Sequence, residues 1–111
     1  MAPIIATLAW SGPSHDQLTV LAVAHGEFGA DWPEDGLVTF LRETDPEGAV
    51  TGRMIGVEID DFLQFDSWHD LPDGPEYWQT AEDPPATLAT LLRRVQARLR
   101  LTHAAHATVA R

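Results

Sequence analysis

The chain has no cysteine, no lysine and no asparagine among its 111 residues. Without cysteine there is no disulfide, no thiolate zinc site and no cysteine nucleophile. Lysine and asparagine both depend on adenine-rich codons, so their joint absence points to a GC-rich genome. Arginine's sole possession of the basic role therefore carries no functional message. Long apolar runs are missing too. The longest is LTVLAVA, residues 18–24, against the ~20 residues a membrane-crossing helix needs. The first ten residues, MAPIIATLAW, place no basic group ahead of an apolar stretch, so they do not read as a secretory signal. These absences describe a cytoplasmic, bacterial protein.

Positive charge is scarce and badly distributed. Seventeen acidic residues face seven arginines, for a net charge of −10, and every acid lies within residues 1–83. Only Arg42 and Arg53 oppose them there, which leaves that stretch at about −15, while residues 93–111 hold the other five arginines and no acid. A body of this sign repels nucleic-acid phosphates, so duplex nucleic acid is excluded as a natural ligand. Anionic membrane surfaces are disfavoured for the same reason. A basic partner is the kind that the electrostatics permit.

What is present reads as one domain, residues 1–111. Residues 3–10, PIIATLAW, are a β-branched and aromatic run that suits a strand, and SGPSHD at 11–16 is turn material. QLTVLAVAH, 17–25, is apolar on both alternating faces, as in a strand buried on both sides. GEFGADWPEDG, 26–36, reads as a loop. LVTFLRET, DPEG and AVTGRMIGVEIDDF then spell a hairpin over 37–62, with Asp45, Pro46 and Gly48 matching a type I turn. In its second arm Ile55, Val57 and Ile59 share one face and Glu58 and Asp60 the other. Gly52 and Gly56 mark a bulge or a close neighbouring backbone. Residues 63–83 have no period and read as a long acidic and aromatic loop. Residues 84–108 read as a helix, with Asp83 as N-cap and Pro84 at the first helical position. Its Leu88, Leu91, Leu92, Val95, Leu99 and Thr102 fall within an arc of about 100°, and Arg93, Arg94, Arg98 and Arg100 flank it. The expected fold is α+β: an antiparallel sheet of about four strands, residues 1–62, with the long C-terminal helix packed on one face and its arginines reaching the acidic sheet rim.

Chemistry-bearing candidates are few. His69 in DSWHD stands between Asp66 and Asp70, but no nucleophile or oxyanion site accompanies it at a recognisable spacing. His25 and Glu27 offer two metal donors where three or four are needed, and His103 and His106 share a helix face without further donors. DSWHDLPDGPE fails the EF-hand register, leaving Asp60, Asp61, Asp66 and Asp70 as a non-standard calcium set. No catalytic residue, cofactor or metal is expected, with His25, Glu27 and His69 as the weakest metal candidates. Among the tryptophans, Trp10 reads as core, and Trp32, Trp68 and Trp78 fall beside acids. The densest feature is GVEIDDFLQFDSWHDLPDGPEYW, residues 56–78, with seven carboxylates, five aromatic rings and no arginine. Aromatic anchors rimmed by charge describe a protein-binding surface, made of Asp60, Asp61, Phe62, Phe65, Asp66, Trp68, Asp70 and Trp78. The alternative is a segment that wraps the sheet with its aromatics inward. The expected function is a small, acidic, non-enzymatic module that binds a basic protein: an inhibitor, an antitoxin, an immunity-like protein or an accessory subunit. Two other readings compete. One is a small-ligand or metal-binding domain, with enzymatic activity an option, in which His25, Glu27, Asp66 and His69 converge. The other is a structural domain that forms a homodimer through a sheet edge.

Overall fold

The computed structural model describes residues 2–31, 36–72, 74 and 76–109, with the side chains of Thr51 and of 104–109 excepted. Six strands form one sheet: β1 (Ile4–Trp10), β2 (Gln17–Ala22), β3 (Phe28–Asp31), β4 (Val38–Thr44), β5 (Val50–Asp60) and β6 (Trp78–Gln79). Their order across the sheet is β3-β4-β5-β2-β1-β6. Among the described residues a single α-helix, α1 (Leu88–Val109), follows. The α+β class and the C-terminal helix hold, and the sheet corrects the expectation. It has six strands rather than four, and it is mixed, because β6 runs parallel to β1 while the other neighbours are antiparallel.

Both unexpected strands are edge strands with weak sequence signals. β3 is four residues, with exposed ends and only its middle half-buried. It holds the sheet by pairing with β4 from Phe28↔Glu43 to Asp31↔Phe40, not by burying a face. β6 has two residues, too few for any period to show.

The hairpin follows its turn chemistry. The Gly48 N–H donates to the Asp45 carbonyl at 2.9 Å. The Asp45 carboxylate accepts from the Glu47 and Ala49 amides at 3.0 and 2.8 Å, the local bonding that makes Asp a turn residue. Ile55, Val57 and Ile59 are at most 1% exposed, so the alternation read from the sequence is the burial pattern. The two glycines of β5 are explained by close approach. A Cβ on Gly52 would stand 2.6 Å from the Glu43 carbonyl oxygen, and one on Gly56 would run into the Val20 carbonyl. Gly52 lies opposite the register shifts at Arg42 and Thr44 in β4, where a bulge tightens the ladder.

Register sets the core. Leu18 pairs with Ile59, Val20 with Val57 and Val38 with Ile59, so these side chains share one face. Leu88, Leu91, Leu92 and Val95 of α1 join them in a single cluster of buried residues, with Leu99 at its margin. The helix begins later than expected. Asp83 is not its cap: the first helical residue is Leu88, and Thr87 precedes it, with its hydroxyl facing the Thr90 amide at 3.4 Å and its carbonyl accepting from the Leu91 amide at 2.9 Å. Pro85 disfavours helical backbone at Pro84, and Ala86 is held extended by two hydrogen bonds with Trp78 (2.7 and 3.0 Å).

The stretch between β5 and α1 is a lid over the end of the core. It contains 3-10 turns at Phe62–Gln64 and Trp68–Asp70 as well as β6. Phe62, Phe65, Leu71 and Trp78 point inward, each at most 5% exposed. The buried Gln96 amide of α1 donates to the Phe62 and Phe65 carbonyls at 2.7 and 2.8 Å. Three of the four arginines of α1 also go to this segment and not to the sheet rim. Arg100 donates to the Leu63 carbonyl (2.6 Å), Arg93 lies 5.3 Å from the centre of the Trp68 ring, and Arg98 pairs with Asp83.

Candidate functional site

The eight residues singled out in 60–78 divide into three groups. Phe62, Phe65 and Trp78 are core residues, 0, 4 and 1% exposed, and of the three only Phe65 reaches the surface, at the wall of the depression that Asp60, Asp61 and Asp66 line. The aromatics of this segment largely face inward, as in the wrapping alternative. Trp68 is half-buried, set edge-on to Phe65 at 4.9 Å and covered by the Arg93 guanidinium. Asp70 stands beside it, 3.3 Å from the exposed His69 ring. Asp60, Asp61 and Asp66 remain. They line one shallow depression of about 200 Å³ together with Leu37, Gln64 and Phe65.

The chain builds this acidic end by turning sharply out of β5. Asp61 has φ of +53°, a left-handed conformation that Asp tolerates better than most residues. Its amide donates to the Asp16 carbonyl at 2.8 Å. The Asp16 carboxylate accepts from the Trp10 indole and from the Leu63 amide, both at 2.8 Å. Gln17 donates to Asp60 at 3.0 Å. Asp16 is therefore occupied in holding the corner, and Asp61 and Asp66 are left exposed. Among the described residues no arginine pairs with Asp60, Asp61 or Asp66. Three uncompensated carboxylates on one depression make a local negative potential.

The other candidates do not assemble. His25 and Glu27 line a depression with Phe28, Thr44 and Gly48, whereas His69 lines one with Trp68, Leu71, Ala89 and Arg93. Asp66 belongs to the acidic end. The proposed convergence of His25, Glu27, Asp66 and His69 is thus not seen: they are distributed over three places. His25 contacts the Gly26 carbonyl at 2.6 Å and meets Phe28 edge-on. Among the described residues no group of three or more His, Asp or Glu is placed to hold a metal. His103 packs on Trp10 with ring centres 4.5 Å apart. Trp32 and the His106 side chain lie outside the described residues.

Sequence reasoning missed the most constrained carboxylate. Asp83, whose side chain is 3% exposed, accepts from Arg98 through both oxygens (2.8 and 3.3 Å) and from the Thr80 hydroxyl (2.6 Å). The Arg98 guanidinium holds this carboxyl below the usual carboxylate range. Burial opposes that shift, and the Thr80 hydroxyl adds to it. Asp83 raises the Arg98 pKa in return. Thr80-x-x-Asp83 ahead of two prolines carries a signal of a side-chain-closed turn, hidden here by its likeness to a helix cap.

Among the described residues no helix is long and apolar enough to cross a membrane. No protein family, curated protein or solved structure matches this chain.

Proposed function

We propose that the protein is a small, acidic, non-enzymatic interaction module that binds a basic protein partner through the end of the sheet where Asp60, Asp61 and Asp66 converge. An inhibitor, antitoxin, immunity-like protein or accessory subunit fits this description. One observation carries the reading. Three of the four helix arginines, Arg100, Arg93 and Arg98, contact the Leu63 carbonyl, the Trp68 ring and Asp83, while the three carboxylates at the sheet end have no arginine among the described residues. An uncompensated acidic cluster speeds encounter with a cationic surface and selects against anionic ones. The aromatic anchors expected from the sequence are reduced to the half-buried Trp68 and the exposed Tyr77.

The test is affinity capture from a bacterial lysate with the wild-type chain and with the Asp60→Asn/Asp61→Asn/Asp66→Asn variant. Asparagine keeps the shape of each side chain and tolerates the left-handed backbone at 61. The wild type is expected to retain proteins with pI above about 9, and the variant to recover about tenfold less of them. Equal recovery by both chains, or retention of only neutral and acidic proteins at about 0.5 M salt, sinks the proposal.

A further inference from the structure

β1 has seven residues, yet β6 pairs with it only at Ile4 and Ile5. Strand alternation decides where the remaining backbone groups point. The Val23 amide donates to the Ile5 carbonyl (2.8 Å) and the Ser11 amide to the Gln17 carbonyl (3.0 Å), so the odd-numbered residues of β1 turn toward β2. The even-numbered ones turn outward, as the Ile4 amide does to meet the Tyr77 carbonyl at 2.8 Å. Beyond Ile5, the outward N–H and C=O groups of Leu8 and Trp10 have no strand beside them among the described residues.

The gap has a physical cause. After Gln79 the chain enters the Thr80–Asp83 turn, closed by the Thr80 amide on the Asp83 carbonyl (3.3 Å) and by the side-chain bond between the same residues. Arg98 pins the Asp83 carboxylate to α1. That attachment draws the turn onto the helix and away from β1. A cleft of about 420 Å³ opens between them. Leu8, Trp10, Leu18, Val95 and Leu99 give it an apolar floor, and Glu82, 79% exposed, stands at its rim.

A strand edge with unpaired amides over an apolar cleft has the requirements for strand addition: main-chain bonds supply affinity and the cleft selects a side chain. We infer that this cleft receives an extended segment of the partner, lying beside Thr7–Trp10 in the place that β6 vacates. Its main chain pairs with Leu8 and Trp10. One apolar side chain enters the cleft and a flanking Lys or Arg meets Glu82. This inference rests on the reading that the partner is basic. Charge selects the occupant: among the described residues the one cation lining the cleft, Arg98, is bound to Asp83 at 2.8 Å and lies 3.9 Å from Glu82, so two carboxylates outnumber it and Glu82, 79% exposed, keeps a face open to a second cation. A second copy would bring another −10 and a second Glu82 to the same place.

The probes are three seven-residue peptides that alternate Lys with Val, Leu or Phe, and their counterparts with Glu in place of Lys. Amide exchange and chemical shifts of the full chain are followed by NMR. At least one Lys peptide is expected to slow exchange at the Leu8 and Trp10 amides about tenfold or more, with the Glu peptides inactive. Leu8→Pro deletes an outward amide and no bond to β2, a substitution that edge strands tolerate. It should weaken that peptide about fivefold or more, and Glu82→Gln, a surface change that leaves the fold intact, about threefold. Three results overturn the inference. If the Lys peptides shift Asp60, Asp61 and Asp66 but leave Leu8 and Trp10 untouched, the cleft is not the site, although the basic-partner reading survives. If the Glu peptides protect Leu8 equally well, the edge binds and the basic-partner reading fails. If sedimentation finds a dimer in which Leu8 is already protected without peptide, the occupant is a second copy.

Discussion

Trp78→Ala is expected to destabilise the protein by about 3–5 kcal/mol, the usual range for deleting a large buried aromatic. Trp78 is 1% exposed and is the largest fully buried side chain among the described residues. It also stands where three segments meet. Its strand runs parallel to β1 through Ile4↔Trp78, and its amide and carbonyl both bond to Ala86 just ahead of α1. Removal of the indole opens a cavity at a joint that cannot close without shifting β1 or the helix entry. The remaining lid residues, Phe62, Phe65 and Leu71, lose a neighbour in the same cluster. Urea denaturation with an unchanged m-value checks the figure. A loss below about 1 kcal/mol would mean that the lid is not part of the cooperative core.

The second large effect belongs to Arg98. Arg98→Met keeps the aliphatic stem but leaves the Asp83 carboxylate buried with only the Thr80 hydroxyl to satisfy it. Breaking a fully buried pair on one side costs about 3–5 kcal/mol, and the discount for an arginine 45% exposed brings the expectation to about 2–3 kcal/mol. Asp83→Leu added to Arg98→Met should recover much of that loss, because two apolar groups leave no orphaned charge. The pair also fixes part of the pH dependence. The Asp83 carboxyl titrates lower in the folded chain than its ordinary 3.8, so the folded state binds the proton less readily than the unfolded state. The pair's contribution is complete above 3.8 and fades as the pH falls through the lower folded value. Stability measured against pH should therefore show the gap between wild type and Asp83→Asn narrowing below 3.8. A gap that stays constant or widens on acidification would remove the arginine as the cause.

The hairpin, the tail helix and the inward face of β5 were legible because each rests on a local rule. Asp45, Pro46 and Gly48 set one turn, Ile55, Val57 and Ile59 alternate, and the leucines of α1 recur at helical spacing. The edge strands were not legible, because their reasons are distant. Phe28–Asp31 is a strand only because β4 offers it a ladder, and Trp78–Gln79 only because Ile4 and Ala86 hold it from two sides. Asp83 misled for a related reason. An aspartate followed by proline reads as a helix cap, but the Thr80–Asp83 turn and the Ala86 bridge to Trp78 hold the chain out of helix until Leu88, and the carboxylate is claimed by an arginine fifteen residues ahead. The acidic bias of 56–78 was visible at once. Which of its rings face inward was not, because the segment has no period to assign them a side.

That bias is the root of the functional account, and salt tests it most directly. The dissociation constant of the captured complex, measured by titration calorimetry from about 0.05 to 0.5 M salt, covers the range in which screening between exposed charges becomes nearly complete. An interface carried by Asp60, Asp61 and Asp66 is predicted to weaken at least about tenfold across that range, with most of the loss in the association rate. An affinity that stays flat, or that rises with salt as apolar contacts do, contradicts the claim that uncompensated carboxylates recruit the partner.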